Sequence, residues 1–414
     1  MWQATAAARE AARAGNYGKV VREARHAQGV TQRQLAQACG VHQSRISRQL
    51  EQRGRGPYQM DLLRAAAAFL GVPLHLVGLA ESHSAHPNGA ADVNRRAFLR
   101  SAAAAATTPL AGFPEREDGL GQQVAALRVI TSASRRLDAG TPSRDLSESV
   151  HGHLRLIQTI ASSAGSGAPR QRLAEAASEA ASFAGWLAWD MADLGSARTW
   201  YGQAVRAAKA SGNPLLVAYQ AGTLAQFEAH AGNPHVALNH VADARRRLAD
   251  DTPDVADAWL LATEALAHAV SGDARACDRT LATALAAARR SPKETPPPWP
   301  WVFSFDETKV AAHRLTCAAR LGRPDWATAE EHVVLAIPNE KQRALALLDL
   351  AASHIASGRP ESGWAMAGQA VRIGVKFRSG RIVERGRAVR RLHNSRSVPR
   401  AVGAFDDLLH NVHL

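Results

Sequence analysis

A recurring skeleton of glycine and small residues runs through the part of this 414-residue chain beyond residue 115. In four places a turn glycine is followed five residues later by a compact residue: Gly232 and Ala237, Gly272 and Cys277, Gly322 and Ala327, Gly358 and Gly363. Ala197 holds the equivalent place after a shorter turn at Gly195. These anchors are 40, 40, 50 and 36 residues apart, so each segment can hold two antiparallel helices and a turn.

Mostly apolar residues stand four and seven positions beyond each anchor: Tyr201 and Ala204, Val241 and Ala244, Leu281 and Ala284, Ala367 and Ala370, with Glu331 and Val334 as the weaker fourth case. Alanine dominates the hydrophobic fraction, and alanine favours helices over strands. We therefore predict an all-α fold, in which 119–137 and 144–163 form a helix pair before the repeats.

This skeleton resembles the tetratricopeptide repeat, whose period is about 34 residues and whose small residues let paired helices approach closely. The resemblance implies an α-solenoid. Such arrays present a concave groove that binds peptides or proteins and performs no chemistry itself.

The segment 17–79 carries a different pattern, that of several short helices. Thr31 is a suitable N-cap for a second helix, and Gly40 stands where the following turn needs positive φ. A third helix is predicted from about His42 to Gln52. Two short helices with a glycine turn between them are the unit that reads DNA, with the second helix in the major groove.

Ile46 and Leu50 share the buried face of that reading helix, which leaves four polar residues pointing away from the core. We predict that these four contact bases: Gln43, Ser44, Ser47 and Arg48. Glutamine can bond adenine through two atoms, and arginine can do so to guanine. Five further residues are predicted to contact phosphates, which positions the domain without reading sequence: Thr31, Gln32, Arg45, Arg53 and Arg55.

The stretch GVTQRQLAQACGVHQSRISR resembles the XRE family of bacterial regulators, the phage-repressor-like helix-turn-helix proteins, and the resemblance covers 17–79. That family usually has one hydrophobic residue and then glutamate after the Ile-Ser-Arg step. Here Gln49 and Leu50 precede Glu51, so the helix end is expected to run one residue longer. The whole layout resembles actinobacterial regulators that join such a head to a repeat body, and more distantly peptide-sensing regulators. It implies a homodimer whose repeats assist self-association.

Positive charge is concentrated at two places in the chain. Residues 1–110 hold 14 Lys and Arg against 6 Asp and Glu, and 371–400 hold 10 against 1, whereas 111–370 are nearly neutral. The N-terminal surplus suits a polyanionic partner. The second basic stretch has two interpretations, a folded helix pair with solvated arginines or a second contact to DNA or an acidic partner.

We divide the chain into a DNA-binding domain at 1–80, a linker at 81–114 and a helical repeat domain at 115–414. The linker contains NRRAFLR followed by an alanine-rich run, which resembles a twin-arginine export signal. Because the segment is internal and its apolar stretch is broken by Pro109, a linker helix is favoured over export.

Two aromatic and acidic clusters are candidates for an effector groove, since aromatics beside carboxylates can hold a peptide side chain or a cation. The candidates are Trp186, Asp190, Phe305, Asp306 and Glu307, with Gln220, Gln226 and Asn239 as possible partners of a peptide backbone. The alternative is packing between repeats plus a proline-stiffened loop at 294–307.

Other classes of function lack a sequence signature. Three scattered cysteines fit a reducing cytosol, the histidines show no zinc-site spacing, and no apolar run suggests a membrane span. Catalytic motifs and cofactor motifs are also missing, so we expect no enzyme, metal or cofactor. The leading prediction is a cytoplasmic regulator that binds double-stranded DNA and responds to a peptide or protein effector. A repeat adaptor that does not bind DNA and an exported enzyme are the alternatives.

Overall fold

The computed structural model describes residues 4–52, 54, 58–79, 119–248, 252–291, 305–391, 400–410 and 412. Within these ranges the chain is helical and contains no strand, as predicted. The predicted linker at 81–114, its twin-arginine-like segment, Arg53, Arg55 and the proline-rich part of the 294–307 loop lie outside the described residues.

The N-terminal head is a bundle of short helices: α1 (Ala6–Arg13), α2 (Tyr17–Ala27), α3 (Gln32–Ala38), α4 (Gln43–Arg45) continued by a π-helical turn (Ile46–Glu51), α5 (Met60–Phe69) and a 3-10 turn (Leu74–Val77). Thr31 caps α3 in a capping box with Gln34, and Gly40 has a φ of +64°, as the sequence predicted. Tyr17, Leu35, Ile46 and Leu50 lie in its shared core.

The C-terminal part of the reading helix, Ile46–Glu51, forms a wider turn. The amide of Gln52 donates to the carbonyl of Ser47, five residues back, over 2.9 Å. A π turn of this kind absorbs an inserted residue without ending the helix. Ile46 and Leu50 therefore both remain buried, and Glu51 still reaches the interior of the head. That this helix end is one residue longer than in the XRE family stays a prediction.

Beyond the linker the chain forms antiparallel helix pairs. Their bounds are α6 (Gly119–Leu137), α7 (Ser143–Ser163), α8 (Ala168–Asp190), α9 (Leu194–Ser211), α10 (Pro214–His230), α11 (Pro234–Leu248), α12 (Asp254–Val270), α13 (Ala274–Arg290), α14 (Glu307–Leu321), α15 (Pro324–Ala329), α16 (Glu331–Ala336), α17 (Glu340–Ala356), α18 (Pro360–Lys376), α19 (Gly380–Arg390) and α20 (Arg400–His410). The predicted pair at 119–137 and 144–163 corresponds to α6 and α7.

The small-residue skeleton forms the turns and the close contacts between paired helices that its spacing predicted. The four turn glycines all have positive φ: Gly232, Gly272, Gly322 and Gly358. The compact anchors Ala197, Ala237, Cys277 and Ala327 are completely buried between paired helices. In the weak fourth repeat, the second helix is broken into α15 and α16, yet Val334 is still buried.

The prediction of a turn at Gly195 is wrong. Gly195 lies within the first turn of α9, and the residue with positive φ in the preceding turn is Ala192, at +63°. Gly195 lacks a side chain for another reason, because a Cβ atom there would overlap the ring of Tyr17 from the head. The neighbouring Ser196 Oγ donates to the carbonyl of Gly78, also in the head.

The head therefore packs on the turn between α8 and α9. The Tyr17 hydroxyl donates to Asp193 Oδ1, and the Tyr58 amide donates to Thr199 Oγ1 over 3.1 Å. Tyr17, Tyr58 and Thr199 are all fully or almost fully buried. The head and the repeat array are thus joined by specific polar contacts as well as by the chain.

The two ends of the array also meet. Lys341 Nζ donates to Asp138 Oδ1 over 2.8 Å and lies 3.4 Å from Asp190 Oδ2. Asp190 also accepts from Ser143 Oγ and Ser379 Oγ, each over 2.6 Å. These five residues, which we call the clasp, are all buried. They hold the α6–α7 turn and the end of α8 against α17 and the N-cap of α19.

Most of the described arginines and lysines in the basic stretch at 371–400 are engaged in ion pairs. Lys376 pairs with Glu340 at 2.9 Å, and Arg390 pairs with Asp406 at 2.6 Å. Arg385 pairs with the buried Asp349. This arrangement agrees with a folded helix pair, although part of its positive charge faces inward rather than solvent.

Candidate nucleic-acid interface

The reading helix presents polar side chains on the surface of the head. Gln43, Ser44 and Arg48 are exposed and Ser47 is half-buried, while Ile46 on the opposite face is inaccessible to solvent. The structure thus places all four predicted base-contact residues on one short helix. Side chains on such a helix are well suited to reach base edges in the major groove.

His42 fixes the N-terminus of this helix, which the sequence alone did not suggest. Its Nδ1 accepts from the Ser44 amide at 3.3 Å and lies 2.9 Å from Ser44 Oγ. The hydroxyl of Ser44 is therefore turned toward the start of the helix.

The described phosphate-contact candidates differ in their availability. Thr31 is exposed, but its Oγ1 accepts from the Gln34 amide at 3.2 Å in the capping box. Arg45 is exposed and donates to Gln59 Oε1 over 2.6 Å. Gln32 donates to Glu51 Oε2 over 2.6 Å, so its side chain is held toward the core rather than toward solvent.

A buried ion pair supports the reading helix from behind. Arg25 Nε donates to Glu51 Oε1 over 2.5 Å, and a second guanidinium nitrogen lies 3.2 Å from Oε2. Arg25 also donates to the carbonyl of Val30 over 2.8 Å, just before α3. One guanidinium thereby ties α2 to both helices of the DNA-reading unit, which fixes their relative orientation.

The effector-groove candidates fall into two groups in the array. Trp186 donates through Nε1 to Asp138 Oδ2 over 2.8 Å, and Asp190 belongs to the clasp. Gln220 is completely buried, with its Nε2 3.4 Å from the carbonyl of Ser178. These three side chains lie on α8 and α10 and already have partners within the protein.

The other candidates lie elsewhere. Gln226 is half-buried and Asn239 is exposed. Phe305 packs in the hydrophobic core with its ring 5.3 Å from His313, Asp306 caps α14, and Glu307 pairs with Arg289 at 3.0 Å. The structure therefore does not bring these five residues together with Trp186 and Asp190 through any described contact.

Comparisons with known proteins assign the head. A family model described as a helix-turn-helix domain matches residues 16–79. A search of curated proteins gives no match. Among solved structures, the chain is similar to Bacillus thuringiensis PlcR in complex with the peptide PapR7 and DNA, with 15% identity and a TM-score of 0.32. That similarity covers 83% of this chain and 97% of that one.

Among the described helices, none is long and apolar enough to cross a membrane. The match of the family model covers the same segment in which α2 to α5 and the glycine turn at Gly40 build a reading helix with exposed polar residues. Residues 16–79 therefore form a helix-turn-helix domain.

Proposed function

We propose that this protein is a cytoplasmic, non-enzymatic transcription regulator that binds double-stranded DNA through its head. The observation that carries the proposal is the exposure of Gln43, Ser44 and Arg48 on the second helix of a helix-turn-helix domain. In this proposal these residues and Ser47 read base edges in the major groove. Their backing by the Arg25–Glu51 pair keeps the reading surface rigid, which favours sequence discrimination.

Phosphate contacts supply most of the affinity in this proposal. In this proposal five residues in or beside the reading helix hold the domain on the duplex: Thr31, Gln32, Arg45, Arg53 and Arg55. Gln32 would do so through its backbone at the start of α3, since its side chain is bonded to Glu51.

We further propose that the helical array, of the tetratricopeptide-like type, binds a peptide or protein effector, supports a homodimer, or does both. Direct packing of the head on the α8–α9 turn supports this part of the proposal. A change in the array can reach the head through Tyr17–Asp193 and Tyr58–Thr199 without passing through the linker. Two heads in a dimer would read half-sites one helical turn of DNA apart.

The test is binding of the full-length protein to genomic fragments, selected and then sequenced, over a range of salt concentrations. We expect affinity to fall steeply with salt, because each phosphate contact releases counterions. Gln43→Ala and Arg48→Ala should each reduce the preference for the selected site by roughly five- to 150-fold, equivalent to about 1–3 kcal/mol for each two-atom base contact.

Arg246→Ala is a matched control, because Arg246 is the same residue type but lies on the array with a side chain 71% exposed. It should leave both affinity and sequence preference unchanged. If the full-length protein binds no fragment in a salt-sensitive way, the proposal fails and a role as a repeat adaptor takes its place. The mass of the protein in solution, measured with and without the selected fragment, tests the homodimer separately.

A further inference from the structure

One hydrogen bond joins the array to the segment that follows the reading helix. The amide of Tyr58 donates to Oγ1 of Thr199 over 3.1 Å, although the two residues are 141 positions apart in the chain. Thr199 lies on α9, inside the repeat array, and both residues are only 1% exposed. A buried donor and acceptor that satisfy each other hold their two segments in a fixed relation, because losing either partner is costly.

Tyr58 is also fixed from within the head. Its hydroxyl accepts from the Gly18 amide over 2.8 Å and donates to the carbonyl of Gly54. Its ring lies 5.6 Å from that of Tyr17, whose own hydroxyl donates to Asp193 of the array. Tyr58 therefore occupies a defined position between the core of the head and α9.

The residue after Tyr58 holds a side chain of the reading helix. Gln59 is the N-cap of α5, and its Oε1 accepts from Arg45 Nη2 over 2.6 Å. Arg45 Nε donates to Gln49 Oε1 over 3.2 Å. These two amides restrain a guanidinium that lies on the exposed surface of the head. Within the described ranges, Nη1 of Arg45 has no hydrogen-bond partner, so its N–H groups are available to a phosphate.

These contacts form a continuous link from the array to the surface that meets DNA in the proposed function. The link runs from Thr199 to the backbone of Tyr58 and Gln59, and then from the Gln59 side chain to Arg45. An arginine that is already held in place loses less conformational entropy when it binds a phosphate. Three of the four predicted base-contact residues are exposed while the head lies on the array, so this packing leaves the reading face free.

We propose that Thr199 is a positioning residue for DNA binding, which acts through Tyr58 and Gln59 to orient Arg45 toward a backbone phosphate. This inference rests on the proposed function of the head and specifies how the array sets its affinity. Because phosphate contacts carry no sequence information, this link controls how tightly the head binds and not which sequence it prefers. Movement of α9 relative to the head therefore alters affinity by this route.

The experiment measures binding of the full-length protein to the selected genomic fragment and to a duplex of scrambled sequence, across a range of salt concentrations. Thr199→Val keeps the shape of the side chain but removes the acceptor. We expect it to weaken binding to both duplexes by the same factor, roughly two- to tenfold, which corresponds to the cost of ordering one long side chain. The dependence of log K on log salt should become shallower by up to about one, the contribution of a single phosphate contact.

Thr199→Ser retains a hydroxyl and should restore most of the wild-type affinity. Thr263→Val is the matched control, because Thr263 is an equally buried threonine whose Oγ1 donates to the carbonyl of Trp259 within α12. It should leave both affinity and salt dependence unchanged. Gln59→Ala, at an exposed position in the head, should reproduce the effect of Thr199→Val. If Thr199→Val does not fold, wild-type binding by Gln59→Ala overturns the inference.

A double-mutant cycle with Arg45→Ala separates positioning from a general structural defect. If Thr199 acts through Arg45, Thr199→Val should cause no further loss once Arg45 is alanine. A structural defect at the junction would instead cause the same loss in both backgrounds. The inference is overturned if Thr199→Val binds both duplexes like the wild type, or if the losses of the two variants are additive. Those results leave the proposed function standing, whereas a wild-type protein without salt-sensitive DNA binding overturns both.

Discussion

Removing one hydroxyl at the junction of head and array should loosen the head without unfolding it. Tyr17→Phe deletes the group that donates to Asp193 but keeps the ring, which is 2% exposed and packs over Gly195. Burial raises the pKa of Asp193, and the Tyr17 hydroxyl opposes that rise by stabilising the carboxylate. Asp193 retains the Ser196 amide at 3.0 Å, so only part of its stabilisation is lost.

The free energy lost on removing the Tyr17 hydroxyl can be estimated from these contacts. A buried acceptor that loses one partner costs about 1–3 kcal/mol, and the remaining amide places this case toward the lower end, at about 1–2 kcal/mol. If this free energy holds the head on the array, opening of the junction should become roughly five- to thirty-fold more frequent.

Hydrogen exchange of the Tyr58 amide is the direct assay, because its acceptor, Thr199 Oγ1, belongs to the array. We expect exchange at this amide to accelerate by the same five- to thirty-fold, about 1–2 kcal/mol, while amides inside α12 keep their protection. Tyr201→Phe is the matched control, since Tyr201 is equally buried but packs within the array against Phe227. Unchanged exchange at Tyr58 in Tyr17→Phe, or equal acceleration in Tyr201→Phe, would refute the reasoning.

Three further variants test separate parts of the structure. Glu51→Gln should lower the free energy of unfolding by about 3–5 kcal/mol in urea denaturation, because it leaves the Arg25 charge buried and unpaired; an equally stable variant contradicts this. Ala192→Gly should raise stability by about 1 kcal/mol, since glycine adopts the observed φ of +63° without strain, and a loss of stability contradicts the assigned turn. Burial, Arg155 and Arg64 lower the pKa of His151 to about 4. The unfolded chain therefore binds more protons between about pH 4 and 6.5, and stability should fall by up to about 3 kcal/mol as pH drops through that window. His151→Phe should remove the part of this dependence that His151 contributes, whereas His235→Phe, at an exposed position, should leave it intact.

The head was largely predictable from the sequence. The cap at Thr31, the turn at Gly40 and the buried pair of Ile46 and Leu50 depend on residues within one or two helical turns. Local backbone preference and side-chain periodicity decide such features, so a short stretch of sequence contains the information. The wide turn that ends at Glu51 was not predicted, because the sequence indicated only a longer helix end.

The surroundings of the effector-groove candidates were not predictable in the same way. Aromatic and acidic clustering selected Asp306, which caps α14, Glu307, which pairs with Arg289, and Asp190, which is buried in the clasp. The partners of Asp190 in the clasp are Ser143, Lys341 and Ser379, which lie 47, 151 and 189 residues away along the chain. Only the packing of whole helices brings these residues together.

The sequence by itself determined the helices, their pairing and the polar face of the reading helix, because each depends on neighbours along the chain. Tertiary structure decided which distant groups meet. Tyr17 lies 176 residues from Asp193, and Lys341 lies 203 residues from Asp138, yet each pair is in contact. The reason for a glycine at position 195 illustrates the difference: the sequence favoured a turn, whereas the packed chain needs space for the ring of Tyr17. Contacts of this kind depend on how whole helices pack, and no local pattern in the sequence records that geometry.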